Sequence, residues 1–430
     1  MASDQQGENT RAVHLPRPPA PEQQPLGTPV YRTAAFAFSS SAEYAALLNG
    51  EAAGYSYSRI DNPTADAFAL AVAALEGHRL DRAGRGSTDR DSAGRDSAGR
   101  EGPTAAQAFA SGMSAISTVF WTFTGAGGHV VAPAAVYGGT YGFLRHVAAR
   151  FGVQTDFVDV TDTEQVRAAM RPETQIVYAE TVANPTTAVA DLPVLAEIAH
   201  AHGALLVVDS TMAPPVICRP LEHGADLVLH SATKYLGGHS DTTGGVVSGA
   251  PGLISQVRAV RVDTGGALAP DEAFLLRRGL ETLPLRVQRQ CSTAMQFAAA
   301  VARHPAVRRV DYPGLPGHPG HKTAIRLFDA GPEGTRFGAI VTVTPQGGRQ
   351  AGYELADRLR VGQVATSLGG THTVVSHVAS TTHRQFDDAA LRAAGMDPGA
   401  VRFSIGLEDA EDLIADVHQA LDGLGREERA

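Results

Sequence analysis

Lysine is almost absent from this chain. Of its 36 basic residues only Lys234 and Lys322 are lysines; the other 34 are arginines. Arginine does not give up its proton under ordinary conditions, so a protein that needs a neutral amine must keep a lysine for it. Cysteine is nearly as scarce, with Cys218 and Cys291 alone among 430 residues. Two thiols build no disulfide framework. With no signal-peptide pattern at the start, the cytoplasm is the expected compartment. No stretch approaches the roughly 18 uninterrupted apolar residues of a membrane span, so no membrane partner is expected. The formal charge is −9 and no basic cluster stands out, which argues against nucleic acid. What is present is ample apolar content, 43%, enough for two domains or one large α/β domain with a smaller companion.

Residues 1–25 are rich in Pro, Gln and Ala without periodicity and read as a disordered extension. Residues 26–64 are irregular and form an arm. A helix follows, with Ala65, Phe68, Ala69, Val72 and Leu75 at helical spacing. Residues 79–103 carry DSAGR twice in tandem and almost no apolar side chains, so they read as a low-complexity surface insertion. From 105 onward the runs AQAFAS, HVVAP, QTDFVDV, QIVYAE, ALLVVDS and DLVLHS alternate with helical segments. This is the pattern of a mostly parallel sheet with helices on both faces, so 65–265 is expected to form a large α/β domain. A helical stretch over 271–303, strands such as AIVTVTP and a final helical pattern predict a smaller α+β domain over 266–430.

The polar residues that stand out follow strand ends, where open α/β sheets bind ligands. Lys234, in LVLHSATKYLGGHSD, is placed like a Schiff-base lysine, though a surface lysine fits the local sequence too. Asp209 ends ALLVVDS; it can hold a cationic ring nitrogen or cap a helix. Gly112 and Met113 open a helix after AFAS, where free N–H groups suit a phosphate, although small residues also serve packing. Tyr137 could stack on a planar cofactor or sit in the core. Arg402 could clamp a substrate carboxylate or form a surface ion pair.

Taken in order, YSRIDNPT, ASGMSA, VYGGTY, ETVANPTT, VVDST, HSATKYLGGHSD, SLGG and VRFSIGLED resemble the transsulfuration family of pyridoxal-phosphate enzymes. That family contains the methionine and cystathionine γ-lyases, cystathionine γ-synthase and the O-acylhomoserine sulfhydrylases. The resemblance spans residues 28–78 and 104–425 and implies a fold-type-I transferase architecture with pyridoxal 5'-phosphate as cofactor. It implies that Lys234 bonds to the cofactor aldehyde and moves protons, Asp209 pairs with the pyridine nitrogen, and Tyr137 stacks on the ring. Gly112, Met113, Ser231 and Thr233 would hold the phosphate, with Glu180 nearby. Tyr57 and Arg59 would reach the cofactor phosphate of a neighbouring subunit. Asn184, Arg402 and the Ser367 backbone would bind the substrate carboxylate, and no metal is expected.

The implied reaction is γ-elimination or γ-replacement on a homoserine- or homocysteine-derived amino acid. A carbon–sulfur γ-lyase is the leading reading and a γ-synthase the alternative. The implied assembly is a homo-oligomer with shared sites, an obligate dimer or a dimer of dimers. Gly139 stands where methionine γ-lyases typically carry cysteine. His372 is expected among the substrate-binding residues; it stands where cystathionine-using members usually have glutamate, and loss of that carboxylate points away from cystathionine. Another fold-type-I enzyme, such as an aminotransferase, would lack YSRIDNPT and SATKYLGGHSD. Deleting residues 82–101 is expected to leave folding and turnover nearly intact, since the segment has no apolar face to bury; loss of soluble, active protein on expression of that deletion would show that it packs.

Overall fold

The computed structural model describes residues 7–15, 25–80, 103–381, 384, 387–393 and 395–425. The bulk of the 79–103 insertion lies outside them. The six strand-like runs form β1 (Ala105–Phe109), β2 (His129–Pro133), β3 (Gln154–Val158), β4 (Thr174–Glu180), β5 (Leu205–Asp209) and β6 (Leu227–Ser231). A seventh strand, β7 (Gly245–Gly249), was not expected. Five residues bracketed by glycine give little periodicity to read, and its strand character comes from pairing on both sides. The sheet order is β1-β7-β6-β5-β4-β2-β3. Strands β2 to β6 run parallel, and β7 lies antiparallel between β6 and β1.

Side-chain alternation along these strands splits the core into two layers. Val177, Val208 and Val228 face one side. Ile176, Val207 and Leu229 face the other, where Ile116 and Phe120 of the Gly112–Phe123 helix cover them. The first layer runs on into the second part of the chain, where it includes Val341, Phe403 and Leu413.

The second sheet contains β8 (Val307–Asp311), β11 (Ile340–Pro345), β12 (Gln363–Val364), β13 (Val374–His377) and β14 (Val401–Ser404) in the order β12-β13-β14-β11-β8. A two-residue hairpin, β9 (Ala330–Gly331) and β10 (Gly334–Thr335), stands apart. The expected helix over 271–303 is two helices, Pro270–Leu280 and Leu283–Val301. Pro284 lies at the start of the second, where a missing N–H costs nothing.

The Pro63–Glu76 helix begins where expected. The Asn62 side chain accepts from Thr64 N–H and Pro63 opens the first turn. Its last residue, Glu76, is buried with Oε1 2.6 Å from His230 Nε2, tying this helix to β6. The reading of 1–25 as disordered needs correction at 7–15. Glu8–Val13 is helical, Ala12 and Leu15 are buried, and Glu8 Oε2 pairs with Arg336 Nη2 at 2.7 Å. Buried Ala12 and Leu15, the Glu8 ion pair and Arg277 Nη2 donating to Leu15 O help hold a segment too short to show periodicity.

Candidate active site

Strands β4, β5 and β6 end in Glu180, Asp209 and Ser231. Glu180 and Asp209 are register partners on neighbouring parallel strands. Alternation puts all three on the face covered by the Gly112–Phe123 helix, and there a cavity of about 1200 Å³ opens. Gly112, Met113, Tyr137, Glu180, Asn184, Asp209, Ser231, Thr233, Lys234, Ser367 and Arg402 all line it. Eleven residues chosen from sequence thus meet in one place.

One wall is a set of hydrogen-bond donors. Ser111 caps the Gly112–Phe123 helix by accepting from Ser114 N–H. The N–H groups of Gly112 and Met113 in the first turn have no carbonyl of their own helix to donate to. A Cβ on Gly112 would lie 2.7 Å from Ser231 Cβ, so only glycine lets the helix start approach the end of β6 this closely. The Thr233 hydroxyl is oriented by Gly244, whose N–H donates to Thr233 Oγ1 at 3.0 Å. Backbone N–H groups at a helix start beside two hydroxyls form a cradle suited to a phosphate.

The floor is acidic. Asp209 Oδ1 accepts from Thr211 N–H at 2.9 Å, and Oδ2 accepts from the Tyr178 hydroxyl at 3.3 Å. Glu180 Oε1 accepts from Tyr137 N–H at 2.7 Å and Oε2 from Asn184 N–H at 3.2 Å. Burial raises the pKa of Asp209. Burial, aided by the adjacent Asp209 charge, pushes Glu180 up to about 8. Among the described residues, no arginine or lysine forms an ion pair with either carboxylate. An acidic slot next to a phosphate cradle fits a ring that bears a cationic nitrogen and a phosphate arm, as pyridoxal 5'-phosphate does.

A second set of lining residues is cationic. Lys234 Nζ donates to Ser367 Oγ at 2.8 Å, and burial together with the nearby Arg402 lowers its pKa to about 8. Arg402 comes from β14, is buried, and donates from Nη1 to Asn184 Oδ1 at 3.1 Å and from Nη2 to Ser367 O at 2.8 Å. Its Nε is buried without a partner. Ser367 adopts φ +79°, a left-handed conformation that is costly for a residue with a Cβ. That backbone turn brings both its carbonyl and its hydroxyl to the two cations. Tyr137 is 45% exposed at the rim, its ring against Gly139; a Cβ there would lie 2.6 Å from Tyr137 Cε1.

Three sequence candidates lie elsewhere. His372 is exposed and does not line the cavity, so its expected substrate contact is corrected. The chain turns at Gly369, φ +73°, and Glu408 holds the next residue by accepting from Thr373 N–H and Oγ1–H, which leaves His372 outside. Tyr57 and Arg59 lie on the arm, away from this cavity. Two residues at the acidic floor were missed, Tyr178 and Thr211. Tyr178 stands two positions before Glu180 on the same strand face, and that spacing could have found it. Thr211 also accepts from Ser231 N–H at 2.8 Å, a contact no spacing reveals.

The chain matches the family described as Cys/Met metabolism PLP-dependent enzyme over residues 9–83 and 95–422. It is 39% identical over 403 residues to an L-methionine gamma-lyase of Treponema denticola, covering 93% of each chain. It is 35% identical over 416 residues to an O-succinylhomoserine sulfhydrylase of Pseudomonas aeruginosa, covering 97% of this chain and 95% of that protein. The crystal structure of metB from Corynebacterium glutamicum superimposes with a TM-score of 0.84 at 33% identity, covering 98% of this chain and 99% of that one. Asp209→Asn is expected to retain bound cofactor but lose activity by orders of magnitude, because a neutral partner no longer favours a protonated ring nitrogen. Near-native turnover, measured with cofactor content checked by absorbance, would reduce Asp209 to the cap of the Thr211 turn.

Proposed function

Since the chain belongs to the Cys/Met-metabolism family of pyridoxal-phosphate-dependent enzymes, we propose that it is a carbon–sulfur γ-lyase acting on methionine or a related homocysteine-derived amino acid. The observation that carries the reading is the pairing of Lys234 and Arg402 through one residue, Ser367, in the same cavity that the Asp209 carboxylate lines. A proton-moving amine and a carboxylate-binding guanidinium then share one α-amino acid between them.

When bound, pyridoxal phosphate supplies an electron sink that acidifies the substrate carbons next to its amine. The remaining work falls to the side chains. Arg402 takes the substrate carboxylate through its guanidinium, and Asn184 Oδ1 keeps that guanidinium in plane. Lys234, with its pKa lowered to about 8, is neutral in a minor but usable fraction at pH 7; it takes the proton from Cα, passes that proton on, and only then, neutral again, takes one from Cβ. Tyr137, at the rim, donates a proton to the leaving atom on Cγ. Its backbone is fixed by Glu180, and the ring position depends on Gly139 carrying no side chain. Asp209 holds the ring nitrogen protonated, braced by Tyr178 and Thr211.

A γ-replacement is the second reading. The cavity of about 1200 Å³ leaves space for a separate nucleophile beside substrate and cofactor, and one relative is named a sulfhydrylase. A panel of methionine, homocysteine, cystathionine and O-acetyl-, O-succinyl- and O-phosphohomoserine, with and without added thiol, separates the two. Release of 2-oxo acid from a sulfur substrate without thiol is expected. Formation of a new amino acid only when thiol is present would reverse the assignment.

The same reading makes the active enzyme a homo-oligomer built from dimers, in the cytoplasm, where its two buried thiols stay reduced. The Ser41–Leu48 helix of the arm buries none of its residues, and Tyr31, Tyr44, Leu48 and Tyr57 are exposed large side chains on the same arm. A second copy would cover them and receive Tyr57 and Arg59 at its phosphate cradle. Mixing inactive Arg59→Ala and Lys234→Ala subunits is expected to restore part of the activity, since one site of each mixed dimer has both residues. No recovery, with mixed dimers shown to form, places Arg59 in its own subunit's site.

A further inference from the structure

A buried guanidinium at the base of the arm takes no part in the reaction above. Arg261, on the Pro251–Thr264 helix, is 3% exposed. Its Nη1 donates to Arg59 O at 3.2 Å, and its Nη2 donates to Ile60 O and to Asp61 Oδ1 at 3.4 Å. With the Gln107 amide turned so that its oxygen faces the arginine, Nε donates to Gln107 Oε1 at 3.1 Å. One turn earlier Arg258 donates from Nε to Asp61 Oδ1 at 3.2 Å and pairs with Oδ2. The turn closes on itself as Ile60 N–H and Asp61 N–H both donate to Tyr57 O, at 2.8 and 3.1 Å. Arg59 Nη1 rests on Val262 O at 2.7 Å, and its guanidinium carbon lies 5.6 Å from the Tyr57 ring centroid.

We propose that Arg261 is a positioning residue that fixes the Tyr57–Asp61 turn so that Tyr57 and Arg59 of one subunit reach the cofactor phosphate of the next. The proposal rests on the shared-site reading. Four acceptors from two segments surround one planar fork, which a lysine head cannot serve at once. Burying this charge is costly unless every donor is satisfied, so the turn has one arrangement that meets the demand and alternatives that do not. Exposed side chains such as Arg59 and Tyr57 otherwise lose conformational freedom on binding a ligand; a fixed backbone beneath them lowers that loss. Gln107 lies on β1, which leads to Ser111 and Gly112, so the same guanidinium also touches the strand that feeds its own subunit's phosphate cradle. Action on the neighbour's site and action on the subunit's own site are therefore distinct outcomes.

The test uses full-length Arg261→Gln, prepared without cofactor, with its assembly size matched to the parent protein. Titration with pyridoxal phosphate, followed by absorbance, is expected to show roughly ten-fold weaker binding, the scale of a hydrogen bond to a charged group. The Arg59→Ala/Arg261→Gln double variant is expected to bind no more weakly than Arg59→Ala alone, because Arg261 acts through the turn. At limiting cofactor, mixing Arg261→Gln with Lys234→Ala subunits is expected to recover activity, since the intact lysine then faces a turn held by an intact Arg261. Additive losses in the double variant overturn the proposal. So does a lack of recovery in that mixture when Arg59→Ala with Lys234→Ala does recover, which assigns Arg261 to its own site through Gln107. If the Arg59→Ala mixture also fails, the shared-site reading falls and takes the proposal with it. Should Arg261→Gln not fold, Asp61→Asn takes its place; wild-type cofactor affinity in that variant overturns the proposal.

Discussion

Glu180 and Asp209 end adjacent parallel strands as register partners, buried and close to each other, with no cationic side chain paired to either among the described residues. Burial raises the proton affinity of both, and the Asp209 charge raises that of Glu180 further. Directed donors make the arrangement tolerable. Thr211 and Tyr178 serve Asp209, while the N–H groups of Tyr137 and Asn184 serve Glu180. Those donors then dictate the surroundings. Tyr137 is placed at the rim because its N–H is committed to Glu180, and Asn184 is placed against Arg402 because its own N–H is committed to the same carboxylate. The same cavity therefore holds two buried carboxylates and two cations without an ion pair between them, and a ligand that brings both a positive ring nitrogen and an anionic carboxylate offers each group a partner.

Much of this was legible because a parallel sheet writes its functional residues in predictable places. Most of β1 to β6 are short apolar runs, the edge strand β3 being the polar exception, and Asp209 and Glu180 are the last residues of theirs. Lys234 could be singled out by rarity. The parts that escaped depend on partners far along the chain. β7 is defined by pairing with both β1 and β6, not by its own GVVSG. Glu8–Val13 is held by Arg336, 328 residues away. His372 was placed by its distance from SLGG, yet the turn at Gly369 and the Glu408 contacts decide where it points. Thr211 became visible once β5 and β6 were seen to end side by side.

The arm follows a different logic from the sheet. Its residues are mostly exposed and its short helix buries nothing, so its own packing does not explain its shape. Its fixed points are polar: Asn62 capping the next helix, Arg32 on Asp271, and Asp61 between Arg258 and Arg261. Polar anchors at discrete points hold a segment in register while leaving its aromatic side chains outward. That is what a surface needs if it is to be completed by another copy rather than by its own core.

The skewed use of basic residues now has a physical account. Where a charge must be permanent and geometrically fixed, the chain uses arginine. Arg402 spans Asn184 and Ser367, and Arg261 spans Gln107 and three residues of the arm turn. Each is buried, and each makes several directed contacts that a rotating ammonium could not make together. Lys322 is exposed on a short helix, where either cation would serve. Lys234 is the exception that burial tunes. Arg402 is close enough to help lower its pKa to about 8, and that effect requires the arginine to stay charged. The permanent cation and the titrating one are therefore coupled: the guanidinium beside Lys234 adds its field to the burial that keeps the amine ready to lose or accept a proton.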